Sequence, residues 1–236
     1  MNLLRIIAIS TFLIVSKSYA ESGIRLVPDS INFGFVPAKS NLYYKVILKS
    51  IGTDTLVIDS INPVCDCIKI PLEKKVLAPG DSTIFEVSYA SEEYVGERSR
   101  WPYFYYNRVD EAKRLPIKAF MVTDLSSIRP VYVMPYRIMA SQFGDSETAE
   151  FPFFIVNETA DTIPLRLLYT DNEYFDLKFP IFVPAKSRAE GKIILNKKGL
   201  QSEFEKSFTF EFITRNSESK HYSIPVVRKI YKNSGN

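Results

Sequence analysis

From Ser30 onward the chain runs in short stretches rich in Val, Ile, Tyr and Phe, split by clusters of Gly, Pro, Asn, Asp and Ser. That rhythm admits strands and turns and shows no long amphipathic helix. Within the stretches the residues alternate: Leu42, Tyr44, Val46 and Leu48 interleave with Tyr43, Lys45, Ile47 and Lys49. A strand with one core face and one wetter face has this period of two. Ile51-Gly52-Thr53-Asp54 should then turn the chain, Leu56-Val57-Ile58 should form the next strand, and Ala78-Pro79-Gly80-Asp81 should turn it again. Phe85, Val87 and Tyr89 alternate with Glu86 and Ser88, and predicted strands over 100–106 and 115–122 complete an all-β unit.

The second half repeats this grammar in different words. Asp54-Thr55-Leu56 aligns with Asp161-Thr162-Ile163, Val46 and Leu48 with Phe153 and Ile155, and Pro79 with Pro184. Phe208, Phe210 and Phe212 alternate with Thr209 and Glu211, which gives the second copy an inward face and a core of its own. The 236 residues suffice for two units of about a hundred each. The expected architecture is two tandem immunoglobulin-like β-sandwiches, 21–124 and 125–236, with the boundary near Asp124 to Arg129.

Residues 1–20 read as a signal peptide: Arg5 is the positive n-region, Ile6 to Val15 is largely apolar, and Ser18-Tyr19-Ala20 sets small residues at the cleavage positions. The apolar run is shorter than the roughly 20 residues that span a bilayer, so cleavage after Ala20 is expected, leaving Glu21 first. No cysteine follows to accept a lipid and the C-terminus is polar, so no membrane anchor is expected. Cleavage removes Arg5 and Lys17 and no acid, which lowers Lys plus Arg from 30 to 28 against 27 acids. A near-neutral chain without a basic block is a poor partner for nucleic acid. The expected location is the periplasm or the outside of the cell.

Ile31-Asn32-Phe33-Gly34-Phe35-Val36 resembles the opening strand of the ASH/Hydin-like immunoglobulin-type domains. Lys49-Ser50-Ile51-Gly52-Thr53-Asp54-Thr55-Leu56 is similar to that family's strand and turn, Asn62-Pro63-Val64-Cys65-Asp66-Cys67 to its two-cysteine segment, and Leu77-Ala78-Pro79-Gly80-Asp81 to its proline-glycine turn. Together they look like the secreted bacterial branch, a family without an assigned function, over roughly residues 30–123. Asp66 stands where the family usually has glycine, and the second half lacks the cysteine pair. The resemblance implies a seven-stranded fold related to pilus-chaperone and major-sperm-protein domains, linked to binding or scaffolding and to no activity.

Residues able to carry chemistry are few. Cys65 and Cys67 are the only thiols. Two residues apart in an extended strand they are too far separated to bridge, and a bond requires a tight turn. Three readings follow: a local structural role as a turn disulfide or inert thiols, a redox pair, or a Cu(I) site, for which no nearby Met or His completes the ligand set. His221 is the single histidine, at the start of a last strand, and reads as a surface or edge residue. A serine triad is formally possible, but with no G-x-S-x-G elbow and no identifiable orienting acid a hydrolase ranks well below the other readings. Glu92-Glu93 reads as a solvated loop pair, nine scattered glycines make no phosphate cradle, and Asn157-Glu158-Thr159 is a glycosylation pattern in a predicted turn. No cofactor, metal or enzymatic activity is expected.

Trp101-Pro102-Tyr103-Phe104-Tyr105-Tyr106 puts aromatic residues on both faces of one predicted strand. By the family pattern Pro102, Phe104 and Tyr106 face inward, which leaves Trp101, Tyr103 and Tyr105 as an outward stripe. Such a stripe either binds a protein or glycan or packs against the second unit. The leading functional expectation is a noncatalytic binding or scaffolding module of the bacterial cell envelope, working through sandwich faces or an unpaired edge strand, with an envelope protein or glycan as partner. The alternative is a periplasmic thiol-redox or copper-handling protein using Cys65 and Cys67.

Overall fold

A computed structural model describes residues 23–93, 95–108, 111–124, 128–213 and 219–231. The expected signal peptide lies outside them. The first half contains β1 (Ile24–Val27), β2 (Ile31–Pro37), β3 (Asn41–Ser50), β4 (Leu56–Asn62), β5 (Ile68–Lys69), β6 (Val76–Leu77), β7 (Ser82–Ala90), β8 (Gly96–Arg100), β9 (Tyr103–Tyr106), β10 (Lys113–Arg114) and β11 (Ile117–Val122). The second contains β12 (Val131–Met134), β13 (Ile138–Met139), β14 (Gln142–Phe143), β15 (Glu150–Asn157), β16 (Ile163–Tyr169), β17 (Phe175–Lys178), β18 (Phe182–Val183) and β19 (Ser187–Leu195). After the short helix α1 (Lys197–Gln201) come β20 (Phe204–Ile213), β21 (Ser219–Arg228) and β22 (Ile230–Tyr231).

Alternation places the core as the sequence implies. Leu42, Val46 and Leu48 of β3 are buried, as are Phe85, Val87 and Tyr89 of β7, which pairs with β3 antiparallel. Asp81 N donates to Ala78 O at 3.0 Å with Gly80 at φ 84°. Proline then glycine at the centre of such a turn is the type II pattern, in which only the glycine takes the positive φ without cost. One buried cluster spans Ile24 to Met121 and a second spans Val122 to Val226. Phe153 and Ile155 sit in the second as Val46 and Leu48 sit in the first.

The halves are not simply strung together. One sheet runs β18-β16-β20-β21-β2-β11-β8 through both of them, joined where Phe35 of β2 pairs with Tyr222 of β21 in parallel. A register shift between β2 and β11 gives β2 one extra residue opposite Lys118 and Ala119. The bulge changes which way the side chains point. Phe33 therefore packs in the first cluster, stacked on Tyr89 at 6.0 Å, while Phe35 lies against the second, 5.3 Å from Tyr222. Gly34, inside the bulge, has φ 64°, and a Cβ there would stand 2.0 Å from the His221 carbonyl oxygen.

Two expectations are corrected by this junction. Thr209 and Glu211, which alternation assigns to the wetter face of β20, are buried along with Ser207 and Ser223, because the outer face of β20 and β21 lies against β3 and β2. Small hydroxyls suit the close approach: Tyr43 N donates to Ser207 Oγ at 2.9 Å, and Ser223 Oγ donates to Phe33 O at 2.8 Å. His221, expected as a surface or edge residue, is held in the same seam, with its side chain 18% exposed, Nδ1 3.0 Å from Asn32 O and Nε2 3.2 Å from Glu211 Oε2.

Candidate functional site

The expected strand over 100–106 is interrupted. β8 ends at Arg100 and β9 starts at Tyr103, with Trp101 and Pro102 between them. One register nevertheless runs through both, from Lys113 opposite Phe104 to Met121 opposite Gly96. Pro102 has no N–H to give, and its carbonyl alone continues the ladder by accepting from Leu115 N at 3.0 Å. The inward face is the expected one: Pro102 and Phe104 are buried, and Tyr106 packs on the core.

The outward face carries the stripe. Trp101 is 49% exposed and Tyr105 38%. Tyr103 and Tyr105 stack with ring centroids 6.4 Å apart, and the Arg114 guanidinium lies 5.6 Å above the Tyr103 ring. Asp29, Glu111, Lys113 and Pro116 complete a shallow groove around the two tyrosines. All of these residues belong to the first half, and no described residue of the second half lines the groove. Flat rings flanked by charges of both signs offer stacking area and hydrogen-bonding groups together.

Beyond β9 the same strand line loses a neighbour. β4 pairs with β9 up to Asn62 opposite Tyr103. Had it continued in register, Cys65 would face Arg100 and Cys67 would face Arg98. Instead Val64 takes φ 65°, Asn62 Oδ1 accepts from Val64 N at 2.9 Å, and the chain turns away. A disulfide joins Cys65 and Cys67 with the Cα atoms 5.2 Å apart. That separation is within the range a bridge requires, and it exists because the segment is a turn and not an extended strand. Ala90 N donates to Cys67 O at 2.8 Å, so the turn hands the chain from the β4 sheet to β5 on the opposite one. Bridged sulfurs present no thiolate to a soft metal, and nothing in the surroundings supports a redox role.

Among the described residues β8 therefore pairs with β11 on one side only. Its hydrogen bonds alternate outward from the Pro102–Leu115 contact, so Arg100, Arg98 and Gly96 bond toward β11, while Glu97 and Ser99 point their N–H and C=O groups to the unpaired side. Arg98 Nη1 donates to Glu97 O at 2.9 Å and Arg100 Nη1 donates to Ser99 O at 3.0 Å. The strand thus caps its outward carbonyls with its own side chains. Both arginines share the inner face with Ile117 and Ala119 of β11, and both charges act on the Tyr89 hydroxyl, whose pKa burial raises and the arginines pull back.

The remaining candidates fall outside any site. Glu93 is exposed and pairs with Lys39 at 2.7 Å. Asn157 is buried, with Nδ2 donating to Asp161 O at 2.7 Å and to Pro184 O at 2.9 Å, a structural role that leaves no amide for a sugar. No group of three or more His, Cys, Asp or Glu side chains able to hold a metal lies among the described residues. None of their helices is long and apolar enough to cross a membrane.

Residues 23–119 match the family model described as HYDIN/CFA65/VesB-like, Ig-like domain. No curated protein matches the chain. Among solved structures, a protein of unknown function from Porphyromonas gingivalis W83 is 10% identical, over 86% of this chain and 99% of that one, with a TM-score of 0.35. The Vibrio cholerae VesB protease is 10% identical, over 42% of this chain and 31% of that one, with a TM-score of 0.33. The E. coli chaperone DraB is 11% identical, over 86% and 97%, also at 0.33.

Proposed function

We propose that this chain, whose first half is a HYDIN/CFA65/VesB-like immunoglobulin-type domain, is a noncatalytic binding or scaffolding module of the bacterial cell envelope. In this reading it is exported by cleavage after Ala20 and built as two immunoglobulin-like units, 21–124 and 125–236. The carrying observation is the exposed Trp101 beside Tyr103 and Tyr105, two tyrosines that line an open groove with Arg114, Glu111 and Asp29 and with no described residue of the second half. A family of binding and scaffolding domains supports it. So does the chemistry at hand: the only histidine and the only cysteines are committed to the junction and to a turn.

The partner fitting this surface is an envelope protein or glycan that stacks on the two tyrosines and the indole. Simultaneous Trp101→Ala, Tyr103→Ala and Tyr105→Ala substitution should abolish partner retention while leaving the denaturation midpoint close to that of the wild type. Retention unchanged in a folded triple variant would remove the stripe from the account. Loss of folding would make it structural.

A further inference from the structure

Two of the longer edge strands of this molecule abut proline, which cannot donate to an added strand. β1 runs directly into Pro28, and β12 lies directly between Pro130 and Pro135. β8 differs. Pro102 stands two residues past its end, and all five of its residues, Gly96 to Arg100, carry an N–H group. The groups of Glu97 and Ser99 face the side that β4 vacates. Its guard is ionic and reversible: two arginines folded onto the carbonyls that an added strand would need.

We propose that the unpaired side of β8 accepts an extended acidic segment of a partner protein, laid along the line β4 leaves, with main-chain hydrogen bonds to Glu97 and Ser99. The inference rests on the reading of the chain as a binding module and adds a contact separate from the aromatic stripe. Charge selects the occupant. Arg98, Arg100 and Lys118 surround the edge, and Glu97 is already engaged by Lys118 at 3.0 Å. Carboxylates on the incoming segment draw the guanidinium groups off Glu97 O and Ser99 O and free those acceptors. A neutral or basic segment leaves the caps in place, so the same arginines exclude unselected strands. Val95 and Trp101, 59% and 49% exposed, stand just beyond the two ends and offer apolar contact to the flanks of the segment.

The test is amide hydrogen exchange on the full chain with a synthetic peptide alternating threonine and glutamate, against one alternating threonine and lysine. The acidic peptide is expected to slow exchange at Glu97 and Ser99 about tenfold or more, and the basic peptide to leave both unchanged. Slowing by both peptides, or by neither, overturns the inference. The slowing must also persist in the Trp101→Ala/Tyr103→Ala/Tyr105→Ala variant; if it vanishes there, the edge is no separate contact and the inference falls. A negative result at the edge with partner retention still lost in the triple variant would leave the aromatic site standing.

Discussion

Lys206 of β20 sets its Nζ 2.6 Å from Glu86 Oε1 on β7, an ion pair across the junction whose lysine side chain is 12% exposed. The same nitrogen lies 3.1 Å from Oδ2 of the fully buried Asp171 and 5.1 Å from the Tyr43 ring. Burial works against the ammonium charge, yet the two carboxylates outweigh it and raise the lysine pKa. Removing the lysine leaves the buried Asp171 only the more distant Lys45, 3.8 Å from Oδ1. Lys206→Met should cost about 3–5 kcal/mol in urea denaturation, and Lys206→Met with Asp171→Asn should recover part of that loss. A single variant as stable as the wild type would show the pair to be incidental.

The bulge at Gly34 is the tightest point of the seam. Alanine there must adopt a positive φ and place its Cβ into the His221 backbone. Gly34→Ala should therefore cost about 3 kcal/mol or more and separate the unfolding of the two clusters, visible as two calorimetric transitions. A single transition at the wild-type temperature would contradict the seam as described.

Acid should loosen the same region. Burial disfavours the charge on Glu211, but the Ser219 hydroxyl and Arg166 guanidinium hold its pKa below the usual carboxylate range, with His221 facing it as well. A depressed folded-state pKa contributes stability above the unfolded value of about 4.3. That stability is lost as pH falls through the lowered value. Glu211→Gln should be less stable at neutral pH by about 1–3 kcal/mol, and its stability should fall less steeply than the wild type below about pH 5. Parallel curves would count against a charged Glu211 in the fold.

The disulfide closes a very short loop, so its entropic contribution is small. Cys65→Ser with Cys67→Ser should cost about 1–2 kcal/mol and leave partner retention intact. Loss of retention in a folded double variant would return the cysteine pair to consideration as a functional site.

Strands, turns and the inward faces of β3, β7 and β20 were legible because burial imposes a period of two. Aromatic residues on both faces hide the inward set of Pro102 and Phe104 from alternation, and it was the resemblance that assigned it, as it located the β2 opening and the two-cysteine turn. What alternation does not encode is a neighbour on the second face. Thr209 and Glu211 look solvent-facing until Ser223 meets the one and Arg166, Ser219 and His221 surround the other, and Arg228, on which alternation is silent, is fully buried and donates to Ala140 O and Leu200 O. The β8 edge was equally hidden, since the loss of its neighbour follows from where β4 turns and not from any property of 96–100. Glycine within Asn-Phe-Gly-Phe was the one local sign of the junction.

The chain contains a single tryptophan, Trp101, and it stands on the proposed binding stripe. Iodide quenching of its fluorescence therefore reads the central claim directly, in free protein and in the complex retained from a fractionated envelope extract. Quenching should fall and emission should shift to shorter wavelength when partner is bound, and both effects should be reversed by displacing it. Undiminished quenching in a complex that demonstrably holds partner would place binding elsewhere and contradict the account.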